Sequence, residues 1–472
     1  MKRRSLWGAL LPEHWQILLA GAVFIGLYGL YALLRFVFLS WGDDSLPPDF
    51  GLSNRVLLAW MVVVFILYSA AYGLFKQLRT LRLIVILAGI FTVILLAAWP
   101  LLSADLFLYI FYPKAVLVYG DNPYLAPLVT YSHDILASSG YVIRSWLPNP
   151  LAYGPAWLLL TLPFTGWGLS GVLPAMISFK LMAAVFLGAS AWLLYKILCL
   201  TNPSRANIGT ALLLWSPLVL LEIVNNGHND IVMIFFLLAA LYAAARKKYF
   251  WVLPLFTLSV FVKYITLLFL PFLLYYLWQQ SAKSAPARRS LLWSVAVSVA
   301  LTALLFAPFW GGLGTFKGLW LFNTSVYNYK GMSLMGILAK GVYRLWPAVQ
   351  DLPELYFMQL VNRAMFIGLY GALWLMFRPR SFDDLIKAWC LVMTLFITVL
   401  TVYLQSWYLV LPIVLLLLAR DWPLRWTLVL TLLGLLNYFY ISADLTIVFF
   451  LFLALDWYWH KFFANSNYFY GK

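Results

Sequence analysis

The sequence predicts an all-α membrane protein, a multipass bundle of about fourteen transmembrane helices. Three observations predict it. Hydrophobic residues make up 64% of the chain and charged ones 10%, where soluble domains carry about a quarter charged residues. Mean hydropathy is +0.89. The 32 Lys and Arg residues fall mostly in short stretches between apolar runs, as cytoplasmic loops do. Loop topology therefore accounts for the formal charge of +16, and nucleic acid is not the partner it implies. No polar run is long enough for a soluble domain, so residues 1–472 read as one transmembrane domain.

The elements follow in order. Behind Lys2, Arg3 and Arg4, the run over 15–40 is too long for the apolar core of a signal peptide and has no small-residue cleavage site after it. It reads as the first membrane helix. A second covers 54–75 and returns to Lys76, Arg79 and Arg82; a third, 83–102, delivers Asp105 to the outer face. Residues 103–153 then read as a first long outer loop, with short amphipathic helices near 106–119 and 131–146 lying on the membrane. The apolar segment from Tyr153 to Gly166 reads as re-entrant, because a full crossing would leave Lys196 and Arg205 outside. Helices are expected near 173–198, 206–224, 231–245, 250–262, 265–278 and 291–309. A second long outer loop covers 310–355. Helices near 356–377 and 385–404 and three shorter spans complete the chain, with both ends cytoplasmic.

Loop charge alone gives this topology, and it gathers four polar groups on the outer face. Asp105 ends an apolar helix. An ionisable group there is costly, and a carboxylate in a partly dry pocket can take a proton from a hydroxyl as that oxygen attacks. The plain alternative is a helix-end anchor. Asp121, Asn122 and Tyr124 stand in G-D-N-P-Y, which is strong turn chemistry and also a candidate acceptor contact. N-N-G-H-N-D over 225–230 is denser in polar groups than a tight turn requires. Within it His228 is a candidate hydrogen-bond donor to a phosphate or sugar oxygen, and Asn226, Asn229 and Asp230 candidate walls of a sugar site. Lys263, inside V-F-V-K-Y-I-T, either snorkels to the interface or meets an anion, and a lysine beside a leaving phosphate stabilises charge as it develops. Lys180 and Arg363 are weaker candidates, outside any polar cluster. Tyr153, Gln405, Trp407 and Tyr408 are candidate pocket-lining residues, against the simpler reading of Tyr and Trp as an interfacial belt. His14, His133 and His460 offer no ligand spacing with His228, and Cys199 and Cys390 sit in apolar contexts, so no metal and no cofactor are expected.

Taken together, S-A-D-L-F-L-Y, Y-G-D-N-P-Y-L-A-P, A-Y-G-P-A-W-L-L-L, W-S-P-L-V-L-L-E-I-V-N-N-G-H-N-D-I-V-M, F-V-K-Y-I-T-L-L-F-L-P and Q-S-W-Y-L-V-L-P resemble, in order and spacing over about residues 100–420, the GT-C superfamily of integral-membrane glycosyltransferases. More narrowly they resemble the bacterial polyprenol-phosphate-mannose-dependent α-mannosyltransferases. The resemblance implies an acidic base in the first outer loop, matched by Asp105. It also implies a polyprenyl-phosphate-linked sugar donor and a glycan or glycolipid acceptor, in a cell membrane with the active site facing the extracytoplasmic side. Mannose as the sugar rests on the resemblance alone. The chain departs from the simplest members in having two helices before the one that bears Asp105. A lipid-linked sugar flippase and a lipid-diphosphate-dependent glycan ligase stay open as alternatives.

Overall fold

The structure is a computed structural model that describes residues 12–40, 54–100, 103–138, 146–322, 334–401 and 404–439. Every extended element among them is a helix: α1 Pro12–Ser40, α2 Asn54–Phe75, α3 Arg82–Ala97, α4 Asp105–Tyr119, α5 Pro155–Trp167, α6 Val172–Thr201, α7 Ala206–Trp215, α8 Asp230–Ala245, α9 Tyr249–Val262, α10 Leu270–Ser281, α11 Ala285–Phe306, α12 Leu334–Leu345, α13 Glu354–Met376, α14 Phe382–Leu395, α15 Val410–Leu418 and α16 Arg425–Asn437, with short 3₁₀ and π turns between.

Among the described residues, four helices are long and apolar enough to cross a membrane: His14–Leu34, Arg55–Phe75, Val172–Thr201 and Ala285–Phe309. A fifth is added if two segments bent by 47° at Ser216 are one span. This is fewer than the fourteen crossings expected. Several expected crossings are short helices, at nearly the bounds expected from sequence: α8 has 16 residues and α9 has 14, against roughly 20 for a full crossing. One cause is visible at Pro217. It lacks an N–H, and Ser216 before it is extended (ψ 118°), so α7 stops there. Residues 139–145, 323–333 and 440–472 lie outside the described residues, and with them parts of both expected outer loops and the last expected span.

The outward faces are apolar. On α11 only Ser294, Leu305 and Phe306 are buried, while Leu292, Trp293, Val299 and Leu304 stand exposed. A surface of this kind suits hydrocarbon rather than water.

Residues 103–119 correct the sequence reading. α4 is not an amphipathic helix lying on a surface: Leu106 through Pro113 and Ala115 are all buried, and the helix packs on α5 and α6. Its apolar residues run round its whole circumference, which marks a buried helix. Gly120, at φ 70°, ends it in the left-handed conformation that glycine adopts without strain. In the other expected region, the short helix Ile135–Ser138 falls among the described residues.

Two buried side chains fix the approach to α4. Lys180 on α6 donates to the carbonyls of Leu95, Leu96 and Ala98 at 2.7, 3.0 and 2.6 Å. A cation on the orphan carbonyls of a helix C-terminus is favourable. Asn225 donates to Ala98 and Trp99 oxygens at 3.2 and 3.3 Å and accepts from the Tyr31 hydroxyl at 2.7 Å. Thus α1, α3 and α6 are tied just ahead of Asp105. Lys180 and Asn225, read from sequence as polar candidates, are spent on this framework.

Candidate active site

The site is built where four segments meet: the start of α4, the turn between α7 and α8, the end of α9, and the 3₁₀ turn Ser406–Leu409.

After Pro217 the chain makes a single π turn, Leu220–Asn225, before it unwinds. Such turns are rare and concentrate at functional sites. This one carries Glu222, wholly buried. Gly227 then reverses the backbone at φ 70°, and a Cβ there would lie 2.7 Å from Leu106 Cδ1. The sharp turn swings His228 back, so that its backbone N–H donates to Glu222 O at 3.0 Å.

The fully buried His228 ring lies between two carboxylates. Nδ1 is 3.9 Å from Asp105 Oδ2, and Nε2 is 3.2 Å from Glu222 Oε2, close but off the hydrogen-bond line. Asn226 donates to the same Glu222 oxygen at 3.1 Å. The Tyr109 hydroxyl lies 3.4 Å from His228 Nδ1 and 3.4 Å from Asn229 Oδ1, and the Tyr153 hydroxyl donates to it at 3.5 Å. Trp407 stacks on the imidazole with centroids 4.0 Å apart.

Asp105 opens the first turn of α4, where the helix dipole favours negative charge. Its backbone N–H donates to Ser103 Oγ at 3.1 Å. The side chain keeps 21% of its surface open, unlike His228 and Glu222. Asp105 lies outside the four long spans. Burial raises its carboxyl above the ordinary value, His228 and Lys263 draw it down, Asp230 pushes it up again, and the balance is a raised carboxyl.

Lys263 grips Asp230, with Nζ 2.9 and 2.8 Å from the two carboxylate oxygens. The same Nζ lies 5.6 Å from the centre of the Tyr408 ring. A lysine with 17% of its side chain open can still turn toward an arriving anion.

Not every candidate converges. Asp121 accepts from the Tyr131 hydroxyl at 2.5 Å. Asn122 donates to Phe309 O at 2.8 Å and accepts from the Tyr124 N–H at 3.1 Å, the turn chemistry its sequence announced. Tyr124 is buried and donates to Tyr153 O at 2.9 Å. These three brace the wall behind Tyr153 rather than face Asp105. Tyr153 itself is set by Gly154, whose Cβ would fall 2.2 Å from Phe261 O, so only glycine lets these backbones touch. Gln405, half-buried, leads into the 3₁₀ turn, which Asn437 holds by donating to Leu404 O and Ser406 Oγ at 3.1 and 3.4 Å.

Two residues were missed. Glu222 is a lone carboxylate in L-V-L-L-E-I-V, and its cost in an apolar run was the available signal. Tyr109 is one of many aromatics and carried none.

Among the described residues no group of three or more His, Cys, Asp or Glu is arranged to hold a metal ion. The buried Asn229 Nδ2 and Glu222 Oε1 have no hydrogen-bond partner. In an enzyme pocket such atoms are where a ligand or water is received.

Residues 49–280, which hold every candidate site residue except Gln405, Trp407 and Tyr408, match a family model of mannosyl-transferring glycosyltransferases. The family is MptA_B, described as alpha-(1->6)-mannopyranosyltransferase, N-terminal domain. The likeness to GT-C-type bacterial mannosyltransferases, carried first by the motifs, is shown by this match. No curated protein matches the chain.

Proposed function

We propose that this protein transfers mannose from a polyprenyl-phosphate donor to a hydroxyl of a glycan or glycolipid acceptor, on the extracytoplasmic face of the cell membrane. The observation that carries this reading is the partly open Asp105 carboxylate, set 3.9 Å from His228 and beside the Lys263–Asp230 pair, within the segment that matches a mannosyltransferase family.

Asp105 accepts the proton of the acceptor hydroxyl as its oxygen attacks the anomeric carbon. The bond from that carbon to the phosphate oxygen breaks on the opposite side, so configuration inverts. Lys263 meets the charge that grows on the departing phosphate. Asp230 holds the ammonium in place until then. The free amide N–H of Asn229 donates to a sugar oxygen, and Tyr153, Trp407, Tyr408 and Gln405 line the sugar's path. Asn226 supports Glu222, and Asp121, Asn122 and Tyr124 brace the wall. The sequence expectation of His228 as a phosphate ligand is revised here, because both its ring nitrogens face carboxylates.

The test is transfer of radiolabel from polyprenyl-phosphate [¹⁴C]mannose into lipid-extractable or polymer product by the full chain in proteoliposomes. Label in the acceptor with inverted anomeric configuration is expected. Release of label to the opposite leaflet without a new glycosidic bond, or use of a lipid-diphosphate donor alone, would overturn the reading.

A further inference from the structure

We propose that Glu222 and His228 act as a proton-holding pair behind Asp105: Glu222 orients the imidazole, and His228 Nδ1 takes on the proton that Asp105 collects. This rests on the transferase reading above.

The geometry carries it. Glu222 is wholly buried on the π turn, where an ionised carboxylate is costly unless a partner offsets it. Its Oε2 accepts from Asn226 Nδ2 at 3.1 Å and lies 3.2 Å from His228 Nε2, off the hydrogen-bond line but close enough for its charge to act on the ring. A carboxylate there favours the tautomer with the proton on Nε2 and leaves the Nδ1 lone pair toward Asp105 and Tyr109. Trp407 covers one face of the ring and stops it from turning over. The charged and titratable groups around the pair are Asp105 and Tyr109 from α4, Tyr153 ahead of α5, Asp230 at the start of α8 and Lys263 at the end of α9. Lys263 is already engaged by Asp230, which leaves His228 as the basic group facing Asp105 and Glu222.

The balance is as follows. The acceptor O–H breaks and its proton passes to the Asp105 carboxylate, while the oxygen pair forms the new glycosidic bond. The electron pair of the old bond leaves with the phosphate. The proton on Asp105 then moves to His228 Nδ1, giving an imidazolium between two carboxylates and returning Asp105 to its base form. Product exit exposes the site, and the proton leaves to water. Glu222 is a positioning residue in this scheme: it holds the ring and lies outside the proton's path.

Only four histidines occur in the chain, so the tautomer is directly measurable. With His14, His133 and His460 replaced by Gln, ¹⁵N-histidine labelling reports His228 alone, in the full chain in lipid nanodiscs. The neutral ring is expected to carry its proton on Nε2; a proton on Nδ1 would overturn the proposal. In the transfer assay, Glu222→Gln is expected to lower kcat on the order of 10²-fold, with donor KM little changed and the acid limb of the pH profile moved to lower pH. Glu222→Asp recovers part of kcat. Unchanged kcat and profile in Glu222→Gln, where the unmodified enzyme transfers mannose, would overturn this pair and leave the transferase reading standing. Absence of transfer by the unmodified enzyme, with the Nε2 tautomer present, would instead strike the transferase reading. If Glu222→Gln does not fold, the tautomer measurement still decides.

Discussion

The imidazole of His228 lies against the indole of Trp407, their planes 22° apart and their centres 4.0 Å apart. The two residues come from opposite halves of the chain. The 3₁₀ turn that supplies Trp407 thus closes a site whose other parts are all within residues 105–263. Trp407→Ala removes the surface that keeps the ring upright, and kcat is expected to fall at least about tenfold; Trp407→Phe, which keeps a stacking face, should retain most of it. Steady-state transfer kinetics of the two variants check this. Equal loss in both would mean that the indole does more than support the ring.

Asp105→Asn keeps the shape of the side chain and its place at the head of α4, but an amide is no base. Transfer is expected to drop by a factor on the order of 10² to 10⁴, with the melting temperature of the purified protein unchanged. The pH dependence has a definite sign. The base form is lost as pH falls through the carboxyl's own value, and burial sets that value above the ordinary 3.8. The acid limb of kcat/KM should therefore lie above the ordinary carboxylate range. A limb below it would remove Asp105 from the role.

Lys263→Met separates holding a phosphate from holding Asp230. The single change leaves a nearly buried carboxylate alone, and a loss of stability of about 3 kcal/mol is expected. Adding Asp230→Asn should restore much of the stability without restoring donor use. Melting curves give the first quantity and donor KM the second. If the double variant regains its donor KM, Lys263 has no part in binding phosphate.

Lys180→Met tests the framework rather than the chemistry. Three carbonyls at the end of α3 lose the lysine; Leu95 and Ala98 keep the Asn225 amide at 3.5 and 3.2 Å, so the cost falls chiefly on Leu96 and is about 1 kcal/mol or more. A lower melting temperature is expected, with transfer falling because the approach to Asp105 loosens. Thermal unfolding in detergent, read beside activity, checks both.

Gly154→Ala forces a methyl group to within 2.2 Å of Phe261 O, and backbone cannot give way as a flexible side chain can. A destabilisation of about 1–3 kcal/mol is expected, with Tyr153 displaced from Tyr109. Retention of full stability would show that α5 and α9 are free to part.

Much of the site was readable in the chain because polar residues are expensive in apolar surroundings. Asp105, the 225–230 cluster, Lys263 and the Gln405–Tyr408 turn each stood out on that ground, and the structure brings three of the four into contact around His228. The converse explains what was not readable. Leu, Phe and Ile look the same whether they face lipid or another helix. So α4 read as a surface helix when it is a buried one, and short apolar helices such as 231–245, read at nearly their true length, do not show by length alone that they cross. The partnership of Glu222 with His228 depends on a π turn, and nothing in L-L-E-I-V-N announces one.

That turn has a consequence for change by insertion or deletion. A π turn holds one residue more than an α turn covering the same rise, and each residue of an α-helix is worth about 100° of rotation. Removing a single residue within Leu220–Asn225 would let the segment relax into an ordinary helix. Asn225 and Asn226 would then be wound away from α3 and Glu222, and Gly227 would deliver the imidazole to a different side of the bundle. At this place the protein tolerates substitutions by their chemistry, but its length is set to the residue.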